Sequence, residues 1–460
     1  MLFMYRLVQK YGGNMTIKLN HKIKDHPTVL KIKSGAGLEN KKKPLSLHEL
    51  RNFSMPLFAD DLGIVSIERA EVSDQVTYIK KALPSAKTLI SIVHKLNPDA
   101  IRSPYRSIAN TEFHHNYEQA NEKCRHIVDF LIQHGAQAIA PASGFPMEMD
   151  EYPGRTWVVS HKPVAVAAGL GQMGINRNIL HEKFGNFINL STIITDMEFV
   201  EESIPINFNP CVGCRLCVKA CPVGAISPDG TFNFSTCLTH NYNEFMTGFN
   251  TWVDTIVNSK NSKEFGQHYS QAENASMWQS LSFKANYKAA YCMAVCPAGE
   301  EVMPLYLSNK EHFNNDIVRP LIDKEETLYV LKNSDAEVHA KKFKNKKIKI
   351  VRNIKAVKDV NTFLRGLPIF FQPLRSKGFD FSIKFKFTGN ESLTKVVTIR
   401  NEKIMVTDEA EIIDLEISIS SDDWLKFIKK EIGLLKLLFL RKLKFKGKLT
   451  HLKSFGKCFP

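Results

Sequence analysis

The chain has 460 residues, 43% hydrophobic and 24% charged, with a formal net charge of +15. That composition excludes wholesale disorder and collagen-like repetition, and the length predicts two to four domains. No stretch approaches the roughly 18 apolar residues of a spanning helix; even Ile432 to Leu440 is broken by Lys436. The charge is uneven: residues 341–460 hold 28 basic and 12 acidic side chains, leaving 34 and 35 for residues 1–340. Such a shift marks the C-terminal quarter as a separate module.

Residues 1–55 read as an N-terminal extension. They show no long apolar core and no small-residue cleavage site, so they are not read as a signal peptide. Met15 is an alternative start, and a cytoplasmic location is expected. An α/β domain is expected over 56–200. Within it, EKCRHIVDFLIQHG has a helical pattern that makes Cys124 a buried bystander. GFPMEMDEYPG then reads as an ordered loop, and ordered loops often carry function. Beside it, Tyr152, Arg155, His161 and Lys162 are candidate catalytic groups, because a reduced centre needs proton donors nearby. Glu112, His114 and His115 are further candidates.

Gly169, Gly171 and Gly174 spell G-x-G-x-x-G and are candidate cofactor-binding residues. A dinucleotide site wants a long helix after the glycines. Here Gly185 and the extended run FINLSTIITD come soon after, so a complete βαβ unit fits poorly.

The cysteines are more specific. Cys211, Cys214, Cys217 and Cys221 form C-x2-C-x2-C-x3-C followed by Pro222. This is the bacterial ferredoxin run for a 4Fe–4S cluster. Two-residue gaps let the backbone curl round a cubane, and Gly213 permits its close approach. Zinc knuckles usually come as separated pairs, and a disulfide framework is disfavoured without a secretory signal. The fourth cysteine of such a run ligates a second cluster, which predicts a downstream half-motif. Cys292-x3-Cys296-Pro297 supplies it. The expected wiring crosses over: Cys211, Cys214, Cys217 and Cys296 hold one cluster, and Cys221, Cys292 and Cys237 hold the other. A full second motif would carry a cysteine three residues before Cys292, where this chain has Ala289. Three arrangements stay open: a three-iron cluster, a cubane with an open iron, or a non-cysteine ligand, with His240 the nearest candidate. Residues 201–330 are thus a ferredoxin-like domain with an aromatic-rich helical insertion from about 238. The run KKFKNKKIKI, in a basic linker over 331–354, reads as a solvated linker or an exposed strand.

AAGLGQMGINRN, FGNFINLSTIITD and the ferredoxin run together resemble the epoxyqueuosine reductase and reductive dehalogenase superfamily. SPYRSIANTEFHHNYE, GFPMEMDEYPGRTWVVSHKPVAVAAGLG and ANYKAAYCMAVCPAGE resemble an uncharacterised bacterial 4Fe–4S family within it. The resemblance spans about residues 60–310. It implies a nitroreductase-like α/β domain, two clusters that pass electrons inward, and cobalamin as a cofactor held base-off. One departure is plain: Gly154 stands where epoxyqueuosine reductases carry an acidic catalytic residue.

Residues 355–460 differ in pattern. FDFSIKFKF alternates at period two, and KVVTIRNEKIMVTDE and EIIDLEISIS read as further strands with a turn at Arg400–Glu402. SDDWLKFIKKEIGLLKLLFL reads as one amphipathic helix capped by Ser421 or Asp422. LKFKGKLTHLKSFG closes with a short strand and a turn. The order resembles a sterol-carrier-protein-2-like domain, which implies an apolar ligand such as a lipid.

The expected fold is therefore an α/β nitroreductase-like domain, an α-helical two-cluster ferredoxin-like domain and an α+β sterol-carrier-like domain. The expected function is an iron–sulfur oxidoreductase that passes electrons through two clusters to a substrate or corrinoid. The alternative is a non-enzymatic electron carrier with a lipid-binding module. Expected partners are an electron-donor protein and an apolar small molecule or lipid, with at most peripheral membrane contact. Nucleic acid is disfavoured in this reading.

Overall fold

Three long apolar runs build the N-terminal sheet: β1 (Asp61–Ser66), β2 (Thr88–Lys95) and, after three short strands, β6 (Ile188–Thr195). The short strands are β3 (Ala138–Ile139), β4 (Gln172–Met173) and β5 (Ile179–Leu180). The computed structural model describes residues 25–36, 42–43, 45–151, 155–351 and 357–460. The sheet order is β1-β2-β6-β3, and all three pairings are antiparallel. The expected α/β domain is thus α+β in its sheet, because β2 and β6 meet edge to edge with no parallel crossover. Alternate residues of these runs enter two cores, so both faces are covered. Leu62, Ile64, Ile90 and Ile92 pack with Ile127, Val128 and Leu131 of the long helix Arg106–Gln133. Val65, Leu89 and Val93 pack with Val164, Ala165 and Ala167 of the helix His161–Ala167.

The cysteine-bearing region has its own core around Tyr287, Tyr291, Ala294, Leu328 and Val330. The insertion is helical, as expected, over Phe249–Asn258, Ser262–His268 and Gln271–Phe283. The residues read as a basic linker are built differently. Strands β7 (Glu326–Leu331) and β8 (Lys346–Val351) pair in parallel, with the helix Asp335–Ala340 between them. The basic run closes this unit, so of linker and strand it is the strand, paired to β7. Its charge is also partly internal. Lys346 is 7% exposed, and its Nζ lies 2.6 Å from Glu326 Oε1 and donates to the carbonyls of Leu321 and Lys324.

The C-terminal sheet comprises β9 (Phe381–Thr388), β10 (Leu393–Arg400), β11 (Lys403–Thr407), β12 (Leu415–Ser420) and β13 (Leu443–Gly447). Its order is β11-β10-β9-β12-β13, with β9 and β12 parallel and the rest antiparallel. Asn401 and Glu402 turn β10 into β11 with φ of 51° and 57°, the left-handed pair that a two-residue hairpin needs. Phe363, Trp424 and Phe455, from three helices, close over Phe385 and Phe387 of β9. The single amphipathic helix expected here is two, Ser421–Ile428 and Leu434–Phe439. Lys430 at φ 64° breaks it, and the cap is Ser420. After β13 the chain closes on a helix, Thr450–Lys457, the strand-then-helix order that the sterol-carrier resemblance implies. No helix among the described residues is long and apolar enough to cross a membrane.

Glu326→Ala should leave the Lys346 ammonium buried and unpaired. Loss of one partner of a buried pair costs about 3–5 kcal/mol. A fall of that size in urea-unfolding free energy, read by far-UV circular dichroism, is the expected outcome.

Candidate iron–sulfur site and substrate cavity

The ferredoxin run curls through two left-handed residues, Gly213 at φ 72° and Arg215 at φ 54°. The short helix Leu216–Ala220 then carries Cys217 inward. Cys211, Cys214, Cys217 and Cys296 line one small cavity. Cys221, Cys237 and Cys292 line another, much larger one of about 540 Å³. The seven cysteines therefore sort with Cys221 and Cys296 exchanged between the two sequence motifs. Among the described residues no three His, Cys, Asp or Glu donors converge tightly enough for a single ion. A cubane spreads its thiolates over several irons and needs no such convergence. Burial pushes the Cys292 thiol up to about 11 and the Cys296 thiol up to about 12, and it raises Cys217 and Cys237 as well. Iron binding at these sulfurs must therefore release protons. Cys124 and Cys458 are buried in other cores.

The glycine segment positions both groups without lining either cavity. A Cβ on Gly169 would meet the Ile204 carbonyl oxygen at 2.3 Å, and one on Gly171 would meet the Leu180 carbonyl oxygen at 2.5 Å. A Cβ on Gly174 would meet Asn176 Oδ1 at 2.9 Å. The glycines thus pack against this chain's own residues. No long helix comes after them; β4 and β5 pair as a small hairpin instead. Its turn reaches the cysteines. The Ile175 N–H donates to Cys211 Sγ at 3.4 Å, and Asn176 Nδ2 donates to the Cys292 carbonyl at 3.2 Å. Asn186 Nδ2 donates to the same carbonyl at 3.2 Å. Asn176 lines both cavities.

The catalytic candidates divide. Tyr152 and Gly154 lie outside the described residues. Arg155 does not line the cavity: its guanidinium donates to the carbonyls of Trp157 and Val158 and sits 3.9 Å over the Tyr78 ring. His161 lines the cavity, but both nitrogens are engaged, with Thr192 Oγ1 at 2.8 Å and the Ala142 carbonyl at 3.2 Å. Lys162 lines it too, reached by solvent through the opening. Its Nζ donates to the Arg177 carbonyl at 2.6 Å and to Asn178 Oδ1 at 3.0 Å, tying down the hairpin turn. Glu112, His114 and His115 lie on the long helix outside this wall; His114 Nε2 meets the Ala285 carbonyl at 2.6 Å.

Tyr117, Tyr242 and Tyr287 also line the cavity, and sequence reading missed them. The Tyr242 and Tyr287 rings meet edge to face at 5.5 Å. Burial raises all three phenols, so they hold their protons at neutral pH. A signal existed: Tyr242 lies five residues after Cys237, and Tyr287 five residues before Cys292.

A model described as a 4Fe-4S binding domain matches residues 204–227, and one of the SCP-2 sterol transfer family matches residues 372–459. The epoxyqueuosine reductase of Lactococcus garvieae (strain Lg2) is 27% identical over 168 residues, 35% of this chain and 44% of that protein. The epoxyqueuosine reductase of Bacillus subtilis (strain 168) is 28% identical over 191 residues, 40% of this chain and 46% of that protein. The chain thus spans under half the length of these curated relatives. Among solved structures, an epoxyqueuosine reductase with an epoxyqueuosine-modified tRNA-Tyr stem loop is 21% identical. It covers 42% of this chain and 56% of its own, with a TM-score of 0.29. A reductive dehalogenase matches at 15% identity and a TM-score of 0.37, covering 62% of this chain and 37% of its own. The sequence matches support the superfamily resemblance, the 4Fe–4S domain and the C-terminal sterol-carrier domain. The expectation that disfavoured nucleic acid as a partner is corrected here, because one matched structure carries a tRNA stem loop.

Cys237→Ser should lower iron content and erase the second group's electron paramagnetic resonance signal while the first remains. A pH dependence is expected as well. Burial pulls His94 down to about 3 and His161 down to about 4. Unfolding returns each to roughly 6.5, so the unfolded chain binds more protons below that value. Their stabilising contribution is present above about pH 6.5 and is lost as pH falls toward 4. The urea midpoint should drop between about pH 7 and 5, less steeply in His94→Asn.

Proposed function

We propose that the chain is an iron–sulfur reductase whose substrate is reduced in the cavity beside Cys221, Cys237 and Cys292. One observation carries the reading: seven cysteines sort into a group around a small cavity and a second group on the wall of a 540 Å³ cavity. That volume lies within the roughly 300–1,000 Å³ of small-molecule sites. Bound clusters supply single electrons at low potential. The chain's own residues do the rest. Asn176 and Asn186 hold the Cys292 backbone, and Lys162 holds the turn that carries Asn176. Tyr117, Tyr242 and Tyr287 bring protonated phenols to the wall, where a reduced substrate takes up protons. Trp157, Ile188 and Leu190 keep much of the wall apolar.

The cavity's chemistry also suits cobalamin, an apolar macrocycle edged with amides. The same wall offers Asn178 and Asn189, and the Asn189 Nδ2 is buried with no partner among the described residues. The C-terminal domain is proposed to bind an apolar ligand among Phe363, Phe385, Trp424 and Phe455. Trp424 is 1% exposed and lies 5.2 Å from the Phe385 ring, so its fluorescence should report a fatty acid entering there. A tRNA-borne substrate is the second reading. The basic excess of residues 341–460 would attract its phosphates, and the curated relatives are epoxyqueuosine reductases.

The test is anaerobic purification, reconstitution with iron and sulfide, and titration with cobalamin under absorbance and electron paramagnetic resonance. Two cluster signals and a changed corrinoid spectrum are expected. Two clusters with no corrinoid response would assign reduction to the Cys221, Cys237 and Cys292 group directly. Failure to hold any cluster would overturn the reading. Salt-sensitive binding of a tRNA in a shift assay would favour the second substrate.

A further inference from the structure

The second cysteine group is one thiol short of four, and the chain puts a buried histidine beside the gap. The histidine's role rests on the reductase reading of that group. The residue at the fourth-thiol position, Ala289, lines the cavity. Its N–H is held by Asn241 Oδ1 at 2.8 Å, and the Lys288 N–H by the Asn241 carbonyl at 3.2 Å. The gap therefore abuts the C-terminal end of the helix Phe234–Asn241. His240, on that same turn, lines the cavity and is 1% exposed. Cys124 and Cys458 sit in other cores and do not complete the set.

The hydrogen bonds of His240 decide its role. Its Nδ1 accepts the Tyr329 N–H at 3.3 Å, and its ring stacks on Tyr329 with centroids 6.2 Å apart. A neutral imidazole that accepts at Nδ1 carries its hydrogen on Nε2. Nε2 is buried and has no partner among the described residues. An iron ligand would need a lone pair at that nitrogen, whereas this tautomer presents a hydrogen. Cluster sulfurs accept such hydrogen bonds, and these help set the reduction potential. We propose that Cys221, Cys237 and Cys292 hold a cluster with no fourth protein ligand, and that His240 donates Nε2–H to it. His240 is then a positioning and tuning residue. The uncommitted corner can exchange water or a substrate oxygen. A hydrogen bond to the cluster favours its more negative, reduced state, so it raises the potential.

The test uses the full chain, reconstituted anaerobically and titrated for potential under electron paramagnetic resonance. Oxidation of the wild type, with loss of an electron and one ferrous ion, should yield a three-iron signal at the second site, and ferrous iron together with dithionite as the electron donor should replace it with the signal of a reduced four-iron cluster. Ala289→Cys should remove that lability. His240→Leu should keep the iron content and lower the second cluster's midpoint potential. His240→Gln, which restores an amide N–H, should recover part of the shift. Nitrogen hyperfine coupling from histidine, or loss of second-site iron in His240→Leu, would make His240 a ligand and overturn the proposal. An unchanged potential in both His240 variants, or no labile iron in the wild type, would overturn it too. If the wild type holds only the first cluster, the reductase reading itself fails, a result distinct from these.

Discussion

The crossing of two cysteine motifs is the constraint on which the rest of this molecule depends. Cys221 leaves its own run for the second group, while Cys296 leaves the downstream pair for the first. Each group therefore needs both chain segments, some 75 residues apart in sequence. The helical insertion between Cys237 and Cys292 must loop out and return. It does so beside the cavity: Glu244 accepts from Asn286 and Ser276, and an ion pair joins it to Lys288. Burial raises the Cys217, Cys221, Cys237, Cys292 and Cys296 thiols, so binding of iron at those sulfurs would be coupled to deprotonation.

The second contributor is the turn between β4 and β5. Its backbone touches Cys211 and its Asn176 side chain touches Cys292, so one short turn spans both groups. The glycines before it let the chain run close to Ile204 and Leu180. Lys162 fixes the turn from the far side. The G-x-G-x-x-G pattern thus acts here through close packing of the polypeptide.

Legibility varied with how local the cause was. The ferredoxin run was readable because its spacing reflects a single curled loop. β6 and β9 were readable because FINLSTIITD shows as an extended run and FDFSIKFKF alternates, each a property of one strand alone. The antiparallel order of the first sheet was not, since pairing depends on where distant strands meet. The basic run left linker and exposed strand both open, because sequence cannot show that β8 pairs with β7 or that Lys346 finds Glu326. The amphipathic stretch after Ser420 was read as one helix because its apolar spacing continues past Lys430. The backbone break there comes from a left-handed residue, not from the pattern.

By itself, the sequence carried the cysteine spacing, the alanine at 289 where a fourth thiol would stand and the strand-rich C-terminal module, and it led to the expectation that Cys221 and Cys296 trade places, as they do between the two cavities. Spacing and periodicity carry those features, and both are local. Only the tertiary structure decided which side chains share the cavity. Tyr117, Lys162, Asn176, His240 and Tyr287 come from five separate segments, and nothing in any one segment announces the others. It also decided that Arg155 turns away to its own backbone, and that His240 keeps its hydrogen on Nε2, since Nδ1 accepts from Tyr329. Those outcomes come from burial and hydrogen-bond geometry, which exist only once the chain has folded.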